Sequence, residues 1–133
     1  MNIVDSSGWL EYFSGGSNSE KFSPPLQEPS SLIVPVITVY EVFKVALRES
    51  GENEALQAVA AMQKGAIIDL TTSIAINASK LSLRYRLPMA DSIILSTAQA
   101  YKCLIWTQDS DFENLPAVKF FPKTNLRPTS AQS

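Results

Sequence analysis

Apolar residues in this chain follow two alternating patterns: short contiguous runs, and longer stretches in which they recur every three or four positions. The runs are Ile3 and Val4; Leu32, Ile33 and Val34; Ile67, Ile68 and Leu70; Cys103 to Trp106; and Val118 with Phe120 and Phe121. Runs this short and this apolar suit buried strands. The periodic stretches predict helices. A short one carries Trp9, Leu10, Tyr12 and Phe13, and a longer one from Thr38 to Glu49 carries Val39, Val42, Phe43 and Ala46 on one face. An Ala- and Leu-rich helix from Glu52 to Gln63 is closed by Gly65, and the next, capped by Thr71 or Thr72, carries Ile74, Ala78, Leu81 and Tyr85. Pro88 opens another, with Ile94, Leu95, Ala98 and Tyr101, and Ser110 with Glu113 suggests a last short capped helix. Ser14 to Ser31 is dense in Gly, Ser and Pro, which predicts a long loop with room for one helical turn.

Strands alternating with helices predict an α/β fold: one domain over residues 1–123, with a central, mostly parallel sheet, helices on both faces and right-handed crossovers. Residues 124–133 read as a polar, disordered tail. Ligands of such sheets bind beyond the carboxyl ends of the strands. That edge collects acids: Asp5 follows the first run, Asp109 and Asp111 follow the fourth, and Glu41 and Asp91 lie near helix starts. Singly, each has an ordinary explanation. Asp5 fits a helix cap, with Ser6 and Ser7 as equal alternatives, and Thr38 with Glu41 fits the S/T-x-x-E capping box. Asp69 falls inside the third predicted strand. Arg84 and Arg86, in a last helical turn, complement the helix dipole as well as they would contact phosphate; Lys44 and Arg48 form a small basic strip one turn apart.

Composition narrows the chemistry. With 133 residues, 45% of them hydrophobic, the chain can bury one sizeable core. A net charge of −2 exerts no global pull on nucleic acid or anionic lipid, so a polyanionic substrate must be held by local charge or metal. The chain contains no histidine, which removes imidazole as base, nucleophile or ligand, and Cys103 is its only cysteine, a buried thiol that excludes an internal disulfide and disfavours zinc. DSSG after the first strand departs from both the dinucleotide and the Walker fingerprints. No basic region precedes a long apolar core at the N-terminus, and the apolar run near Leu32 to Tyr40 is interrupted by Pro35, so an unexported, cytoplasmic protein is expected. Several carboxylates in one cleft repel each other; the usual relief is a divalent cation, and all-oxygen ligands favour Mg²⁺ or Mn²⁺.

Four segments, IVDSS, TVYEVFK, LPMADSIILSTA and LIWTQDSDF, together resemble the PIN domain, specifically the small VapC-type toxins of prokaryotic toxin–antitoxin pairs, over nearly the whole chain. The resemblance implies a metal-dependent endoribonuclease with Asp5, Glu41, Asp91 and Asp109 as the acidic site. Asp111 is a further acid near the metal, Ser6 and Thr107 are hydroxyl helpers, and Lys44, Arg84 and Arg86 would steer the RNA backbone. Asp5, Asp91 and Asp109 would hold Mg²⁺ or Mn²⁺ while Glu41 positions the attacking water. It further implies a homodimer and a cognate VapB-type antitoxin whose tail enters the acidic cleft. Two other classes compete. An inactive PIN-like binding module is disfavoured because none of the four acids is missing. A receiver-type phosphoacceptor domain wants paired acids after the first strand and an aspartate after the third, whereas Asp5 is followed by serines and Asp69 is read within its strand.

Overall fold

A computed structural model of the chain describes residues 1–124; the predicted C-terminal tail, apart from Thr124, lies outside the described residues. Among the described residues, five strands form the frame: β1 (Asn2–Val4), β2 (Ile33–Pro35), β3 (Ala66–Ile68), β4 (Leu104–Thr107) and β5 (Val118–Phe120). All pairings are parallel. β1 pairs with β4 through Ile3 and Ile105, β4 pairs with β5 through Ile105 and Val118, and β2 pairs with β3 through Ile33 and Ala66. A single parallel bridge between Asn2 and Leu32 joins the two groups, so the spatial order is β3-β2-β1-β4-β5.

The two-residue period of the strands sends neighbouring side chains to opposite faces. Ile3, Ile33 and Ile105 face α5 (Thr72–Tyr85) and α6 (Met89–Tyr101), where they pack with Leu81, Ile94 and Leu95. Val4, Val34 and Trp106 face the other way, against Trp9 of α1 (Ser6–Ser14), Phe22 of α2 (Ser19–Leu26), Val42 of α3 (Val36–Ser50) and Met62 of α4 (Glu52–Met62). Helices thus cover both faces of a parallel sheet, as the alternation predicts. Cys103 is buried and free, at the entry to β4. Among the described residues, no helix is long and apolar enough to cross a membrane.

Several local expectations need correction. The segment from Ser14 to Ser31 is largely helical, holding α2 and a 3₁₀ turn at Pro29–Ser31. Its anchor is Phe22, fully buried against the sheet; burial of one aromatic outweighs a poor helical composition. Pro24 and Pro25 lack the amide protons to continue the ladder, and the helix closes at Gln27. Gly8 makes the α1–β1 approach possible, since a Cβ there would stand 2.6 Å from Val4 Cγ1 and 2.8 Å from the Phe22 ring. Helix α3 begins at Val36, with Pro35 as its cap, so Thr38 lies inside the first turn and forms no capping box; its hydroxyl is buried without a partner. Gln63, not Gly65, caps α4, while Gly65 packs closely on Leu32. Asp69 stands beyond the end of β3 and is exposed, because the ladder with β2 stops at Ile68.

Candidate active site

The carboxyl ends of β1 and β4 adjoin, and the N-terminus of α6 brings Asp91 to the same edge. Asp5 leaves β1 and caps α1. Its Oδ1 accepts hydrogen bonds from Ser7 Oγ at 2.7 Å and from the Gly8 amide at 3.1 Å, and its Oδ2 accepts one from Thr107 Oγ1 at 2.8 Å. The capping role and a site role therefore coexist in one carboxylate that is 1% exposed. Thr107 in turn accepts the Asp109 amide at 2.9 Å, so one hydroxyl at the end of β4 connects two predicted site acids. Asp109 caps the following 3₁₀ turn by accepting the Asp111 amide at 2.9 Å. The predicted short helix is thus this turn, capped by an acid rather than by Ser110.

Asp91, Asp109 and Asp111 each bring a carboxylate oxygen within 4.8 Å of the others. Asp91 sits in the first turn of α6, 8% exposed, where the helix dipole favours its charge. Repulsion and burial overcome that help: burial first, and then Asp109, Asp5, Asp111 and Glu41, raise its pKa to about 8. Asp5 is raised to about 6 by burial and less strongly by Asp109, with the Ser7, Thr107 and Gly8 hydrogen bonds opposing the rise. Glu41, released from the expected capping box, is also raised by burial and by Asp109, with the Ser6 hydroxyl opposing. Its Oε1 is buried without a hydrogen-bond partner. Among the described residues, none of these acids forms an ion pair with Lys or Arg.

The site thus brings together Asp5, Glu41, Asp91, Asp109 and Asp111, with Thr107 and Ser6 alongside. It does not bring in the predicted cations by ion pairing. Lys44 lies over the Tyr40 ring on its own helix, Arg84 over Tyr85, and Arg86 caps α5 in a left-handed conformation. Sequence reasoning missed Ser7 as the donor to Asp5, having treated it only as an alternative cap. A separate cleft of about 730 Å³ between α1, α3 and α4, lined by Ser6, Ser7, Gln108 and Lys123, includes none of the five acids. The only sequence signal for Ser7 is a hydroxyl in the first turn after a capping aspartate.

The carboxylates of Asp91, Asp109 and Asp111, paired with no Lys or Arg among the described residues, form a donor set of hard oxygens that fits Mg²⁺ or Mn²⁺.

A family model described as PIN domain matches residues 3–118. No curated protein matches the chain. Among solved structures, the chain is similar to a toxin–antitoxin complex from Klebsiella pneumoniae, at 25% identity and a TM-score of 0.79, covering 93% of this chain and all (100%) of that one. It is also similar to the Mycobacterium tuberculosis VapC20, described as a sarcin-ricin loop cleaving toxin, at 14% identity and a TM-score of 0.72, covering 87% and 95% of the two chains. A DNA-bound VapBC from Salmonella typhimurium aligns at 16% identity and a TM-score of 0.69, covering 92% and 98%. The last two likenesses concern the fold.

Proposed function

The chain belongs to the PIN-domain family, and on that premise we propose that it is a divalent-metal-dependent endoribonuclease, the toxin of a VapBC-type toxin–antitoxin pair. The observation that carries this reading is the cluster of Asp91, Asp109 and Asp111 carboxylates, gathered within 4.8 Å at the sheet edge without a neutralising side chain. Such repulsion is costly to maintain in a purely structural role.

Asp91, Asp109 and Asp111 would hold Mg²⁺ or Mn²⁺, with Asp5 at the inner edge of the site. A cation bound there supplies Lewis acidity and neutralises the charge that builds on the phosphate. The chain's own residues do the rest. Thr107 and Ser7 hold the Asp5 carboxylate in one orientation, and Asp5 contributes negative charge without moving. Glu41, half-buried beside the cluster, would orient a water through its carboxylate and accept its proton as the oxygen bonds to phosphorus and the bond to the leaving nucleoside oxygen breaks, that oxygen taking up a proton from solvent. Lys44, Arg84 and Arg86 would steer the RNA backbone. A homodimer, a VapB-type antitoxin whose tail enters the acidic cleft, and a cytoplasmic location complete the proposal.

The test is to incubate the purified, partner-free chain with structured and single-stranded RNAs in Mg²⁺ or Mn²⁺, with EDTA and Asp91→Asn as controls. Cutting that requires the metal and Asp91 supports the nuclease. A folded chain that neither cuts nor binds metal contradicts it and favours an inactive binding module.

A further inference from the structure

We propose that Gln108 is a positioning residue of this site, held by Glu11 and Asn18 as a polar brace that fixes where Asp109 stands; the inference rests on the nuclease reading above. Gln108 lies between Thr107 and Asp109, both of which belong to the acidic edge, yet its side chain points away from the acids and is only 8% exposed. Its Nε2 donates to Glu11 Oε1 at 3.2 Å, and its Oε1 accepts from Asn18 Nδ2 at 3.0 Å. Asn18, 1% exposed, closes the triangle by donating its own amide to Glu11 Oε2 at 2.8 Å. The Gln108 amide donates to Ser7 Oγ at 3.2 Å, the same hydroxyl that holds Asp5.

Three features mark this as a built device. Three polar side chains from α1, the turn before α2 and the loop after β4 meet where apolar packing would be simpler, each hydrogen-bonded to another of the three, with Asn18 Oδ1 left without a partner. The brace also reaches the end of the sheet, since Asn18 Nδ2 donates to the Pro122 carbonyl at 3.0 Å. Gly16 makes room for the Glu11 carboxylate, since a Cβ at that position would stand 2.3 Å from its Oε2. The chain from Thr107 to Asp109 is thus tied at every residue: Thr107 to Asp5, Gln108 to Glu11 and Asn18, and the Asp109 amide to Thr107. Groups that orient ligating carboxylates typically govern metal affinity and turnover by about 10- to 100-fold.

The experiment measures Mn²⁺ affinity by the loss of free-Mn²⁺ paramagnetic resonance, together with kcat and KM on RNA, for the full chain and three variants. Gln108→Met keeps the length and loses both side-chain hydrogen bonds. It is expected to bind Mn²⁺ about 10-fold more weakly and to lose kcat with KM unchanged. Gln108→Glu sets a carboxylate against Glu11 and is expected to be at least as impaired. Adding Glu11→Gln to Gln108→Glu reverses the hydrogen bond between positions 11 and 108 and keeps both bonds donated by Asn18, and should recover most of the Mn²⁺ affinity and kcat. That recovery decides the matter even if Gln108→Met does not fold. Variants that match wild type in Mn²⁺ affinity and kcat, or a double variant no better than Gln108→Glu alone, overturn the brace while leaving the nuclease intact. A wild-type chain that neither binds Mn²⁺ nor cuts RNA overturns both.

Discussion

Thr107 Oγ1 donates to Asp5 Oδ2 at 2.8 Å across 102 residues of sequence, tying the ends of β4 and β1 together at the point where the acids converge. The same oxygen accepts the Asp109 amide, so it orients one acid and anchors the backbone of another. Thr107 is fully buried, and its β-branched shape suits the strand.

Thr107→Val keeps that shape and removes the hydroxyl. We expect RNA cleavage to fall by about 10- to 100-fold, with stability lowered by roughly 1–3 kcal/mol, because the Asp109 amide loses its acceptor and Asp5 a donor. Thr107→Ser should retain most activity. Single-turnover rates and chemical denaturation on the two variants check both expectations.

Stability of the metal-free chain should fall as pH rises from about 4 to 8. Asp5 and Asp91 have folded-state pKa values raised from the ordinary 3.8 to about 6 and about 8, chiefly by burial and then by neighbouring acids. Across this window the folded state holds more protons than the unfolded one, so the slope of unfolding free energy with pH is negative. The buried Asp5 alone would account for roughly 3 kcal/mol. Denaturation midpoints in EDTA at several pH values provide the measurement, and saturating Mg²⁺ should restore stability at the alkaline end, by about 2.7 kcal/mol at 100 times its dissociation constant.

Phe22→Ala should destabilise the chain by about 3–5 kcal/mol, a cost expected of a core aromatic and not of a loop residue. Thermal melting checks it, and a change near zero would show that α2 contributes nothing to the core.

Phe22 also marks the boundary of what the sequence discloses. The central strands β1, β2 and β4 were legible because parallel strands buried on both faces are uniformly apolar, and Asp5, Asp91 and Asp109 were legible because each lies within two residues of a strand end or in the first turn of a helix. Helix α2 was obscured by Gly, Ser and two prolines; its one informative residue is an aromatic whose partners, Val4 and Trp106, lie far off in sequence. Thr38 misled because a capping-box pattern carries no information about where the chain leaves the sheet, and Pro35 starts the helix earlier. The brace of Glu11, Asn18 and Gln108 was invisible for a related reason: residues 90 and 97 positions apart become neighbours only once β1 and β4 are paired.

The most direct measurement is a Mn²⁺ titration of the partner-free chain followed by paramagnetic resonance, with wild type and Asp91→Asn compared at pH 7.5. We expect at least one Mn²⁺ per chain in the wild type and binding weakened by 10-fold or more, or lost, in a variant that remains folded. Equal binding by the two proteins, or none by either, would contradict a metal centre at the Asp91, Asp109 and Asp111 cluster.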